Sequence, residues 1–206
     1  MLTLERWSAL WSCLGARTHG DTIFQEVIQA YAEPHRHYHT LAHLQDCLQI
    51  FDTTSARAKQ PAVVEAALWF HDAIYDTHSS ENEARSASWA YEALRTAGAA
   101  EALCQHVADL VLMTQHEARP AGADACLIVD IDLSILGRAP VVFDAYERQI
   151  REEYAWVPTS TFRQRRVAIL EAFLARPTIY STPDFQQDYE EQARQNLARS
   201  IARLQA

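Results

Sequence analysis

Residues 61–76 read PAVVEAALWFHDAIYD, and the fold is decided there. Proline suits the first turn of a helix, where its missing N–H has no partner to lose. Pro61 therefore opens an apolar helix that carries His71 and Asp72 near its C-terminal end. An aspartate beside Leu68, Trp69, Phe70, Ala73 and Ile74 is costly, on the order of several kcal/mol, unless a cation or hydrogen bonds compensate it. That penalty favours a metal ion, because adjacent His and Asp can offer one ion an imidazole nitrogen and a carboxylate oxygen. A buried pair serving only the helix end is the competing explanation. Nine His and twelve Asp in 206 residues predict about half of one His-Asp pair by chance, so the weight of the pair comes from its companions along the chain.

Outward from this helix the chain reads as further helices joined by short loops, an all-α fold. Upstream, Leu4, Trp7, Leu10, Trp11 and Leu14 recur at helical spacing until Gly15. Phe24, Val27, Ile28 and Tyr31 follow Asp21, a suitable N-cap, and stop before Pro34; a third helix runs from about Thr40 to Thr53. Downstream, Ser80 and Glu83 form an S-x-x-E capping box for a helix through Ala97 that Gly98 closes, and another runs from about Glu101 to Glu117. Residues Ala125 to Leu136 could be a strand by periodicity, but a lone strand among helices has no partner, so they read as helix. Pro140 and Pro158 open two more, and a polar last helix after Pro183 is expected to pack on the outside. With no repeat and no long linker, residues 1–206 read as a single domain, a helical bundle with its metal-site core at about 35–137 and C-terminal helices over 140–205.

The formal charge of −9 argues against binding a nucleic-acid polymer, which needs a basic face. It leaves room for a small anionic substrate, because a metal can supply local positive charge. The four cysteines (Cys13, Cys47, Cys104, Cys126) form no CxxC pair and read as buried, reduced thiols of a cytoplasmic protein. The start, MLTLERWSALWSCLG, reads as an amphipathic helix and not a signal peptide, and no stretch approaches the roughly 18 uncharged apolar residues of a membrane span. The five tryptophans, Trp156 included, fall in amphipathic patterns and are expected in the core.

The companions of His71-Asp72 are YHTLAH (38–43) and DIDLSILG (130–137). His39 and His43 are four apart, so a helix from Thr40 onward projects both from one face. Asp130 and Asp132 again set carboxylates in an apolar run, and at least one of them needs a positive partner. His106, Asp109, Met113 and His116 are spaced three, four and three along one helix face, which suits contact by His116 with a metal ligand or with substrate better than a second metal. Arg36 and Arg85 are the candidates for phosphate contact, since a guanidinium pairs bidentately with phosphate.

The order H…HD…D in an all-helical chain resembles the HD superfamily of metal-dependent phosphohydrolases. YHTLAH resembles the YHNxxH segment of cyclic-nucleotide phosphodiesterases, and IDLS resembles their ADLS. With ENEARSA (81–87) and DLSILG, the chain from about residue 5 to 200 looks like a bacterial group of small predicted HD-domain hydrolases. The resemblance implies metal ligands at His43, His71, Asp72 and Asp132, with Asp132 preferred to Asp130 on the DLS match. It implies His39 as proton donor, and Asp72 as a residue that both ligates and orients the attacking water. Mixed N/O ligation suits a divalent Mn, Fe, Co, Ni or Zn better than Mg. The activity implied is hydrolysis of a small nucleotide or other phosphate ester by hydroxide generated on the metal. Thr40 stands where the phosphodiesterases have Asn, and the chain is much shorter than theirs, so a cyclic nucleotide is not implied. The alternatives are a non-catalytic metal- or nucleotide-binding HD module, a sensor or structural subunit, and a two-iron HD-type oxygenase.

Overall fold

The computed structural model describes residues 2–206 as ten α-helices with short 3₁₀ turns and, among these residues, no strand. The chain divides into two compact units, one through Ile131 and one from Asp132, where the sequence pattern reads as a single domain.

In the first unit α4 (Pro61–Phe70) is central. It packs against α1 (Leu4–Cys13), α3 (Leu41–Thr54), α5 (Asn82–Thr96) and α6 (Glu101–Leu112), while α2 (Gly20–Tyr31) lies on α1. The reason is in its composition: Val63, Val64, Ala66, Ala67, Leu68, Trp69 and Phe70 are all buried, so α4 has no polar face to give to water. Trp7 of α1 stacks on Trp11 at 5.0 Å and meets Trp69 edge-on at 5.2 Å, and Phe70 meets Trp89 at 5.7 Å. Aromatic side chains of this kind each contribute roughly 2–3 kcal/mol by burial. The chain from α6 continues through a 3₁₀ turn (Met113–Gln115) to α7 (Ala123–Asp132), so the run from Ala125 is helical as expected.

Several local expectations need correction. Thr40 is outside α3 and caps it, its Oγ1 accepting from Ala42 N at 3.3 Å. Asp21 lies in the first turn of α2, whose N-cap is His19 at φ 62. The Ser80–Glu83 capping box does not form: the N-cap of α5 is Glu81, without a side-chain cap. The turn before it is closed instead by Asn82, which accepts from Asp76 N and donates to Asp76 O, each at 3.0 Å. Cys13 and Trp156 are exposed, because the amphipathic stripe turns away from the core at Cys13 and Trp156 lies in the turn after α8 (Pro140–Glu153).

In the second unit α10 (Pro183–Gln205) packs on α9 (Thr159–Leu174) and on the 3₁₀ turn Leu133–Gly137, which α8 (Pro140–Glu153) also meets. The polar look of α10 is misleading. Its inner face buries Phe185, Ala193, Asn196, Leu197 and Ser200, and Asn196 Nδ2 donates to the carbonyls of Leu136 and Arg138 at 2.8 Å each. A buried side-chain amide can serve a packed face when its donors find carbonyls. Arg166 of α9 is likewise buried, its Nε donating to Glu147 at 3.1 Å and its Nη2 to Tyr146 Oη at 2.8 Å. No helix is long and apolar enough to cross a membrane among the described residues.

Gly137 is where α10 comes closest. A Cβ added there would lie 2.6 Å from Tyr189 Cβ and 2.7 Å from the Tyr189 carbonyl oxygen, so backbone has to move. Gly137→Ala is expected to destabilise the second unit by about 2 kcal/mol or more. Chemical denaturation of the variant should show a lowered midpoint; an unchanged midpoint would mean that α10 docks more loosely than this contact implies.

Candidate metal centre

The site is built where α4 ends. His71 is the C-cap residue of α4, and its ring Nδ1 lies 2.7 Å from the carbonyl oxygen of Leu68. A carbonyl only accepts, so Nδ1 carries the proton and Nε2 of the neutral ring presents a lone pair. That Nε2 faces His43 Nε2 at 3.0 Å, both side chains being buried. His43 occupies the third position of α3, one residue after the pair that Thr40 caps. Asp72 Oδ2 completes a triangle, 3.1 Å from His71 Nε2 and 3.4 Å from His43 Nε2.

These three separations decide what the triangle can hold. Donor atoms about 2.1 Å from one ion at angles of 90–109° are roughly 3.0–3.4 Å apart. The edges of 3.0, 3.1 and 3.4 Å therefore match a single divalent ion. Two buried imidazole nitrogens facing a carboxylate oxygen need a cation or a shared proton between them. Burial alone would push the Asp72 carboxyl up. Positive charge at His71 and His39, with protons shared from His43 and His71 when those rings are protonated, outweighs this and holds it well below the usual carboxylate range.

Two further donors meet the same two imidazoles, in a grouping that does not include Asp72. His43, Cys47, His71 and Asp132 each offer one atom, all within 4.8 Å of one another, and this buried group can hold a metal ion. Asp132 is the last residue of α7. Asp130 stands roughly 200° around the same helix, so the two acids cannot face one ion. Asp130 is fully buried. Cys47, one turn beyond His43, is the donor that the sequence reading assigned to the plain core. The available signal was its i,i+4 spacing from His43, which a search for CxxC pairs passes over. Its Sγ is 3.8 Å from both ring nitrogens of His43. Equal distances set the thiol beside the ring and off the Nε2 lone-pair axis.

His39 is not on a helical face with His43, because it precedes the cap of α3. It lies in the loop, stacked on Tyr75 at 4.1 Å and edge-on to Tyr38 at 4.9 Å, with its ring 5.9 Å from that of His43. The loop is held by Arg36. Its guanidinium donates to the carbonyls of His39 (3.1 Å), Asp72 (2.6 Å) and Ala73 (3.0 Å), and through Nε and Nη2 to Glu33, each at 3.0 Å. All five N–H groups are thus engaged, which leaves Arg36 none for a phosphate. Tyr31 lies beneath this guanidinium, its ring centroid 5.2 Å away, and its hydroxyl accepts from Asp72 N at 3.2 Å. Burial chiefly pushes the Tyr31 phenol up to about 12, so it remains protonated at neutral pH.

The remaining candidates are dispersed. Arg85 is exposed on α5. α6 ends at Leu112, so the expected face of His106, Asp109, Met113 and His116 is interrupted. His106, Asp109 and Met113 line a cavity of about 330 Å³ with Lys59 and Asp124, whereas His116 takes a left-handed φ of 59 after the 3₁₀ turn and does not line it.

Arg36→Ala leaves three carbonyls of the site without their donor and is expected to cost about 3 kcal/mol or more. Hydrogen exchange should then rise in the 35–40 loop and at 72–74. Protection equal to wild type in both stretches would mean that another contact holds the loop. No protein-family model, no curated protein and no solved structure matches this chain, so the functional reading rests on the geometry of these residues.

Proposed function

We propose that the protein is a metal-dependent phosphohydrolase of the HD type, acting on a small phosphate ester such as a nucleotide. The observation that carries this reading is the triangle of His43 Nε2, His71 Nε2 and Asp72 Oδ2, with edges that suit one divalent ion. Asp132 is a further ligand from α7. Mixed nitrogen and oxygen donors favour Mn, Fe, Co, Ni or Zn over Mg. When bound, such an ion lowers the pKa of water toward 7 and polarises a phosphoryl oxygen.

The chain's own groups do the rest. The charge of Asp72, kept anionic by its histidine neighbours, also suits it to accept a hydrogen bond from an attacking water. His39, partly exposed and held by Tyr75 and Tyr38, is the group to give a proton to the leaving oxygen. The four cysteines form no disulfide, which fits a reducing compartment and a cytoplasmic enzyme.

One observation favours a second reading. A fourth buried donor at Cys47 moves the site toward the closed ligand sets of structural or sensory metal centres, which keep no open position. The two readings separate on Cys47→Ala. An enzyme centre of His, His and Asp keeps its metal in that variant, and a closed His-Cys-His-Asp centre loses it.

Asp72→Ala is expected to lower metal content by tenfold or more, abolish turnover and keep the helical circular dichroism. His39→Ala should keep the metal and lose roughly 10²–10⁴-fold in rate, most for poor leaving groups. Elemental analysis and a phosphomonoester and nucleotide panel with Mn, Co, Ni and Mg read both out. Full metal content in Asp72→Ala overturns the ligand assignment, and metal bound with no ester turned over favours the second reading.

A further inference from the structure

A second cavity, of about 390 Å³, lies entirely within residues 132–206, walled by α8, α9 and α10. Four arginines and two acids face it: Arg148, Arg151, Arg163 and Arg203, with Asp144 and Glu147. Both acids are already spent. Glu147 accepts from Arg166 Nε at 3.1 Å and from Ser200 Oγ at 2.7 Å, and Asp144 Oδ1 accepts from Arg199 and Arg203 at 2.9 Å each. Arg151 is spent as well, on the carbonyls of Tyr154 (2.6 Å) and Val157 (3.0 Å), with its guanidinium 4.7 Å over Phe162.

Arg148 of α8 and Arg163 of α9 differ from these. Neither makes a hydrogen bond or ion pair with any described residue, so two whole guanidinium charges from two helices face one cavity uncompensated. Their setting makes this unusual. Residues 132–206 hold ten arginines, no lysine and ten acids, so the chain's −9 falls on the residues before them. Arginine presents a planar fork that matches phosphate bidentately, where lysine presents a point charge. Phe162 and Leu204 supply apolar wall beside the two forks.

We propose that this cavity binds a small phosphorylated ligand, its phosphate on Arg148 and Arg163 and its body along Phe162 and Leu204. None of the residues lining it is a donor of the metal centre, and the proposal does not rest on that centre's chemistry. The test is calorimetric titration of the full-length protein with inorganic pyrophosphate and with ADP, in EDTA so that no metal bridges the phosphates, with sulfate as the control anion. Saturable binding is expected near one per chain, tighter for pyrophosphate than for sulfate, and unchanged in Asp72→Ala. Each of Arg148→Gln and Arg163→Gln should weaken it by roughly tenfold, the worth of one charge-assisted hydrogen bond, and the double variant by more. Both side chains are exposed, so folding should not change, and circular dichroism checks this. The proposal is overturned by the absence of saturable binding at millimolar ligand, by equal affinity in the double variant, by sulfate binding as tightly as pyrophosphate, or by loss of binding in Asp72→Ala.

Discussion

The guanidinium of Arg36 joins the two stretches of chain on which the centre depends. One is the loop that carries His39 into α3, and the other is the turn in which α4 ends at His71 and Asp72. Neither stretch is regular structure, and neither could hold a side chain to a few tenths of an ångström alone. A single planar fork binds three carbonyls from both, with Glu33 on its remaining edge and Tyr31 and Tyr75 on its faces. The geometry of the candidate centre is therefore fixed by a cation that touches no ligand side chain.

The same logic explains why α4 must be so apolar. A helix buried on every side ends inside the protein, and its last carbonyls would be left unsatisfied unless something donates to them. His71 solves this for Leu68, and in doing so fixes its own tautomer and aims Nε2 at His43. The demand of the buried backbone and the demand of the centre are met by one proton. Burying His43, His71 and Asp72 together is costly in isolation and is repaid when a cation completes the set.

The two units differ in how they use charge. The unit through Ile131 carries the chain's net negative charge and concentrates donors at one buried point. The unit from Asp132 is neutral overall and lays its arginines along α8, α9 and α10, burying Arg166 against Glu147 and Tyr146. Nothing in a linear count of charge reveals that division, because the arginines that are spent and those that are not look alike in sequence.

The helical class and most of the helices were legible because they depend on local physics. Pro61 and Pro140 at first turns, Gly98 at φ 88 after α5, and apolar residues at intervals of three and four act within a few residues of themselves. That His71-Asp72 would need partners was legible for the same reason: a polar pair in an apolar run needs them wherever the run lies, and His43 meets both side chains. The helix ends were less so, and the Ser80–Glu83 box lost to Asn82 because Asp76, six residues back, offered Asn82 both a donor and an acceptor. The meeting of Cys47 and His43 with His71, the loop position of His39, the spending of Arg36 on carbonyls and the inward face of α10 were decided only by tertiary structure. Each depends on which distant groups arrive at 3 to 4 Å, and a sequence spacing states what one element can present but not what will meet it there.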